Sequence, residues 1–132
     1  MNKPMEVSEL ERAVEATLVL EGELRERELL EAGEQLFRLM HRGCRWVVLD
    51  FFEVSHLDYR GVRTLITRGE LFRKAGGGLV LTGLTPYIAR ILQVGGVHPE
   101  HFDCYPRIED AWEAISRERS WLRAAAPALR AG

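Results

Sequence analysis

A chain of 132 residues, 46% hydrophobic and 29% charged, holds enough apolar material for one globular core and too little for two. Its formal net charge of −2 excludes a whole-molecule field that would gather nucleic acid or an anionic membrane, so charged recognition has to come from a local patch. No apolar run approaches the ~20 residues needed to cross a bilayer, "MNKPMEVSEL" carries no apolar signal segment, and Cys44 and Cys104 lie in no paired spacing; reduced thiols in a cytoplasm are expected.

The first stretch, "MEVSELERAV" (5–14), fits an edge strand pairing antiparallel with residues 16–23, as a short connection requires. "ATLVLEGEL" (16–24) alternates as a strand does and closes around Gly22. "RERELLEAGEQLFRLMHRG" then sets Leu29, Gly33, Leu36, Phe37 and Met40 at helical spacing, with Gly43 as the stop. "RWVVLDFFEV" (45–54) is almost continuously apolar, the pattern of a strand covered on both faces of a parallel sheet. From Asp58 the period changes again: Val62, Leu65, Ile66, Gly69 and Phe72 form an inner face, and Arg63, Thr67, Arg68, Glu70 and Arg73 an outer one, until "AGGG" ends the helix. "LVLTGL" (79–84) is a third buried strand, and "TPYIARILQVGG" a short helix with Thr85 as cap and Pro86 in the first position. "HFDCY" (101–105) gives a last short strand, and "RIEDAWEAISRERSWL" a closing helix with Ile108, Ala111, Trp112, Ile115 and Leu122 on one face. Residues 1–122 therefore read as one domain and residues 123–132 as a flexible tail. Strand followed by helix, several times over, predicts an α/β fold: a mostly parallel sheet of four to five strands with about four helices and an antiparallel edge strand at the N-terminus.

In such a sheet function gathers at the carboxyl ends of the strands, where loops enter helix N-termini. "VSHLDYRGVRTL" (54–65) is a junction of that kind. Asp58 is a natural N-cap. Gly61, in the first turn, costs roughly 1 kcal/mol relative to alanine, which implies close approach of a backbone or ligand, or tight packing beneath the loop. Arg60 opposes the helix macrodipole unless Asp58 or Glu53 pairs with it. Local rules broken without visible compensation tend to mark functional positions. Arg60, Arg63, Thr64, Thr67 and Arg68 would form a basic stripe headed by Tyr59, and Tyr and Arg are the types enriched in interface hot spots. That stripe is either a docking surface for an acidic protein or a solvated arginine-rich face.

Other candidates for chemistry are weaker. His98 and His101 flank Glu100, but Pro99 breaks the helix that would align them and a third ligand is missing, so no metal site is expected. Asp50 reads as a strand-end acid accepting backbone hydrogen bonds. "TGLTP" offers Thr82, Thr85 and free amides at a helix start, which suit either an anion or ordinary capping. Trp46, Trp112 and Trp121 read as packing residues. No catalytic set and no cofactor-binding motif emerges.

Four stretches, "LVLEGEL", "WVVLDFFEVSHLDYRGVRTL", "GGGLVLTGLTPYIARILQVGGV" and "FDCYPRIEDAWEAI", together resemble the STAS domain, whose founding members are bacterial anti-sigma factor antagonists. The resemblance spans about residues 6–118 and implies a β-α superhelix. In that family the loop reads Asp-Ser-Ser-Gly or Asp-Thr-Ser-Gly, and a serine in it is phosphorylated by a kinase that is also the anti-sigma factor. Asp58 and Gly61 match that motif, whereas Tyr59 and Arg60 occupy the hydroxyl positions. A tyrosine oxygen lies several ångströms beyond a serine's, out of line for transfer in a site built for serine. Tyr59 is thus a degenerate phosphoacceptor position. What the resemblance implies is a non-enzymatic module in transcription-regulating signal transduction, binding a protein partner through Asp58, Tyr59, Arg60, Gly61, Arg63 and Thr64 without phosphorylation at that position. The partner would be an anti-sigma factor or serine kinase, or a larger signalling assembly. Two alternatives stand beside it: phosphorylation moved to Ser55, Thr64 or Thr67, and a scaffold subunit of a lipid-transport or signalling assembly, or a small-ligand sensor. Pairing with a second copy stays open; nucleic acid and direct membrane insertion are not expected.

Overall fold

The structure, a computed structural model, describes residues 5–6 and 15–131, and side chains over residues 15–119. Chain order gives strand β1 (Met5–Glu6), β2 (Glu15–Leu24), helix α1 (Glu26–His41), β3 (Trp46–Leu57), a single 3₁₀ turn (Tyr59–Gly61), α2 (Val62–Lys74), β4 (Gly78–Thr82), α3 (Pro86–Val94), β5 (Asp103–Tyr105) and α4 (Ile108–Ala131). The strands lie in sequence order, β1-β2-β3-β4-β5. β1 runs antiparallel to β2, pairing Met5 with Leu18, and the remaining pairs are parallel. The expected α/β class and antiparallel N-terminal edge are present.

Because each parallel crossover advances one strand in the same direction, α1, α2 and α3 are laid on one face of the sheet. There Leu29, Leu36, Leu65 and Phe72 pack on Leu18, Leu49 and Phe51 in the main core. α4 returns across the other face, where Ala111 and Ile115 cover Val48 and Val80. Its Trp112 Nε1 donates to Thr17 Oγ1 at 3.1 Å, and Arg119 pairs with Glu15. The five α2 residues assigned to the inner face, Val62, Leu65, Ile66, Gly69 and Phe72, are all buried.

Two features differ from expectation. β3 continues to Leu57, three residues past the predicted end, and beyond Asp50 it pairs only with β2. Two register shifts against β2, between Val19 and Glu21 and between Gly22 and Glu23, each place an extra residue on β3. Bulges of this kind bend a strand and re-aim its side chains, so Val54 and Leu57 regain the core face while Phe52, Glu53 and Ser55 stay exposed. Phe37, expected on the buried stripe of α1, is 39% exposed and lies under the Arg68 guanidinium, 5.1 Å from the ring centroid. The backbone from residue 123 belongs to α4, which runs to Ala131.

Candidate functional site

The two-stranded ribbon of β2 and β3 carries Asp58 out beyond the end of β4. Leu57 is buried beneath it, and the Asp58 N–H donates to Leu24 O at 2.9 Å, fastening the two strand ends together. Asp58 then turns the chain. One carboxylate oxygen, Oδ1, accepts from the Arg60 backbone N–H at 3.0 Å and from Arg60 Nε at 3.0 Å; Oδ2 accepts from Arg60 Nη2 at 2.8 Å. Side chain and backbone of one residue thus close on one carboxylate, a charge-assisted two-pronged contact of the strong kind. Hydrogen bonds from the Arg60 side chain, then from its backbone, hold the Asp58 carboxyl down at about 2, and Asp58 in turn raises the Arg60 guanidinium. The cation at the head of the helix is therefore offset locally. This also spends the cap one turn early: Asp58 caps the 3₁₀ turn, and α2 itself starts at Gly61 with no side-chain cap.

The residues singled out in sequence divide between surface and interior. Tyr59 is 53% exposed, the Arg60 side chain 64%, and Arg63 is exposed as well. Gly61 is buried, and a Cβ there would lie 2.7 Å from Leu29 Cδ1 and 3.3 Å from the Glu26 Cα. Packing against α1 therefore accounts for this glycine. Thr64 is half-buried with its methyl against Gly33 of α1, and Arg68 Nε donates to Gly33 O at 2.9 Å. The basic stripe splits in two, since Arg60, Arg63 and Thr67 face outward while Thr64 and Arg68 fasten α2 to α1. Among the alternative phosphosites, Ser55 and Thr67 are exposed and Thr64 is not.

A cleft of about 510 Å³ opens between this turn and α3. Leu57, Tyr59, Tyr87, Ile91 and Val94 line it together with the acids Glu23 and Asp58 and the arginines Arg25 and Arg60. The Tyr87 hydroxyl sits 2.7 Å from His56 Nδ1, tying α3 to the end of β3. Sequence reasoning passed over these α3 residues. The available signal was that Tyr87, Ile91 and Val94 recur at i, i+4 and i+7 on a different stripe from the buried Ile88 and Leu92, so the helix has apolar residues to spare beyond its core face.

The weaker candidates are accounted for within the fold. Asp50, 8% exposed, accepts from the Thr82 hydroxyl at 2.7 Å and so takes a side-chain partner where backbone donors were expected. Thr85 caps α3 through Ile88 N–H at 3.2 Å. The His98 N–H donates to His101 Nδ1 at 2.9 Å. Among the described residues no group of three His, Cys, Asp or Glu side chains could hold a metal. Cys44 and Cys104 are both free, and burial pushes the Cys44 thiol up to about 11. No described helix is long and apolar enough to cross a membrane.

Sheet order, helix placement and the strand-end turn define a β-α domain whose outward feature is a charged, aromatic helix start. The family model of the STAS domain matches residues 6–111, and the chain belongs to that family. Among solved structures, the unphosphorylated form of the anti-sigma factor antagonist SpoIIAA aligns with a TM-score of 0.70 at 20% identity, covering 88% of this chain and 95% of that one. A variant of RsbS from Moorella thermoacetica aligns with a TM-score of 0.74 at 18% identity, covering 89% and 97%. A chain of the stressosome, described as a signal integration and transduction hub, aligns with a TM-score of 0.67 at 17% identity, covering 88% and 98%. No curated protein sequence matches the chain.

Proposed function

We propose that this STAS domain is a non-enzymatic regulatory module that docks a protein partner through the Asp58–Arg63 turn, as an anti-sigma factor antagonist does, without a phosphorylation switch at positions 59 and 60. The observation that carries this reading is the turn itself. Where the family motif has a small hydroxyl, Arg60 is held by both oxygens of Asp58 beside the exposed Tyr59 ring. A phosphate added to a short side chain there would place nearly two negative charges inside a contact surface and eject the partner by repulsion and desolvation. With arginine and tyrosine in those positions the surface keeps one charge state, so docking is constitutive and is regulated by the abundance or state of the partner. The likeness to SpoIIAA, an anti-sigma factor antagonist, and to a stressosome chain supports an anti-sigma factor or a larger signalling assembly as that partner.

Tagged wild type and Arg60→Glu, each used to capture partners from lysate of the source cells, test the docking surface. The wild type should retain a partner that Arg60→Glu binds at least about tenfold more weakly, the scale of losing one hot-spot contact; equal retention overturns the reading. Incubation with ATP and the captured kinase should leave positions 59 and 60 unmodified in the wild type by mass spectrometry, whereas Tyr59→Ser should gain phosphate. The exposure of Ser55 and Thr67 favours a second reading, a displaced phosphosite, and peptide mapping of the same reaction reports on it directly.

A further inference from the structure

β3 outruns the strand beside it. Its ladder with β4 ends at Asp50 and Thr82, while its ladder with β2 continues to Leu57 and Leu24. Gly83, at φ 72°, lets the chain leave the sheet so close to β3 that a Cβ there would lie 2.8 Å from Phe52 N. Past that point, among the described residues, no hydrogen bond reaches the main chain of Phe52–Leu57 except from β2. A strand whose neighbour stops early presents N–H and C=O groups whose partner is water or another chain. Natural edges are often blunted by lysine or proline, and residues 52–57 contain neither. The two bulges do twist this edge away from the flat geometry that pairing with another whole sheet requires, which favours a single short segment over a second copy. Apolar rings stand on both sides of the edge. Phe52, at 72% the most exposed large apolar side chain among the described residues, lies between Phe51 and Val54, which are in the main core, and so faces away from it. Tyr87, 55% exposed, comes from α3 on the core side and sets its hydroxyl 2.7 Å from His56 Nδ1. Successive side chains of a strand point to opposite faces, so a strand added here would lay one side chain on Phe52 and the next toward Tyr87.

We infer that the free edge of β3 receives an extended segment of the partner protein, added as a short strand where β4 would have continued past Thr82. Main-chain groups of residues 52–56 supply the hydrogen bonds, and the rings of Phe52 and Tyr87 take consecutive apolar side chains, the division of labour usual in strand addition. The inference rests on the docking function proposed above and states the conformation of the segment that docks. It also gives a role to Phe52, which the turn does not use. The edge runs directly into Asp58, so strand addition and the Asp58–Arg63 turn would form one continuous surface.

The probes are two capped peptides of the sequence Thr-Val-Thr-Val-Thr, whose β-branched residues favour extended backbone. The second is N-methylated at both valines, which keeps every side chain and removes main-chain donors. Each is titrated into the full chain and followed by amide chemical-shift changes. The first should shift the amides of residues 52–56, Gly83 and Tyr87 and bind at least about tenfold more tightly than the second. Phe52→Lys, a surface change whose folding is checked by its melting curve, introduces the charge that blunts natural edges and should lose that preference. Equal binding of the two peptides, no binding of the first, shifts that map elsewhere, or unchanged binding to Phe52→Lys each overturn the inference. A dimer in sedimentation that Phe52→Lys breaks also overturns it, by giving the edge to a second copy. The same variant in the lysate capture separates the two claims. If Arg60→Glu loses the partner and Phe52→Lys keeps it, the edge assignment falls and the docking function stands; if both keep it, the docking function itself falls. Loss by both supports both when hydrogen exchange of amides 52–56 slows in the complex, and without that slowing the edge assignment falls. Loss by Phe52→Lys alone keeps the edge and removes the turn.

Discussion

The turn from β3 into α2 and the turn from β4 into α3 solve one geometric problem with different chemistry. Both carry the chain from a buried strand into a helix on the same face of the sheet. At the second, Gly83 takes the left-handed conformation at φ 72°, Thr85 accepts the Ile88 N–H, and Pro86 occupies the first position, where its missing N–H is no loss. Neutral groups meet every capping demand of this turn, although Tyr87 at its helix start is 55% exposed. At the first, the capping carboxylate serves a 3₁₀ turn and a guanidinium, α2 is left with no side-chain cap, and an aromatic ring stands in solvent. The contrast separates a turn closed by neutral caps from one closed by an ion pair, and the proposed docking function rests on the second.

Even the glycines differ in kind. Gly83 is required by its positive φ as well as by the Phe52 backbone, 2.8 Å from where a Cβ would lie, whereas Gly61 has φ −94°, open to any residue, and is required by the closeness of Leu29 and Glu26 alone. The largest effect is expected there. Gly61→Ala should destabilise the domain by about 1–3 kcal/mol, the usual cost of overpacking a filled interior, read as a shift in the urea midpoint at constant slope. A neutral result would mean that α1 and the turn are not in tight contact. A smaller effect should divide the two turns by function: Thr85→Ala removes an ordinary cap and should cost about 1 kcal/mol with partner binding unchanged. Asp58→Ala should do the reverse, releasing Arg60 and weakening capture of the partner more than it lowers the melting temperature.

Much of this was legible in the sequence, and the parts that were not share a cause. The inner face of α2 and the capped start of α3 could be read because period and capping chemistry are local. The end of β3 could not, because two bulges move Val54 and Leu57 back to the core across Ser55 and His56, and a strict two-residue alternation misreads such a segment. At the site, the sequence placed Asp58, Tyr59 and Arg60 at an exposed helix start and raised the Asp58–Arg60 pairing. It left Gly61 undecided, since only the distance to Leu29 distinguishes packing from ligand approach. It misplaced Arg68 with the outward stripe, because the partner that holds it, the Gly33 carbonyl, lies 35 residues away in the chain. The cleft was invisible for the same reason: Tyr59 and Tyr87 become neighbours only through the fold.

The smallest effect is the sharpest test of how the first turn is held. A carboxyl whose folded-state value sits near 2, below the ~3.9 of an unfolded aspartate, stabilises the native state once pH is above about 4 and loses that contribution as pH falls toward 2. The Asp58–Arg60 contact should therefore be complete and independent of pH between about 5 and 8, and open only in strong acid. Carbon-detected titration of the Asp58 carboxyl should give a midpoint near 2 in the wild type, moving up toward the ordinary value in Arg60→Gln. The hydroxyl cap of the second turn has no such acid limb, so Thr85→Ala should leave the Asp58 midpoint where it was. A wild-type midpoint in the ordinary carboxylate range would show that Arg60 does not hold Asp58 in solution, and the cation at the head of α2 would then stand unopposed, presented whole to whatever binds there.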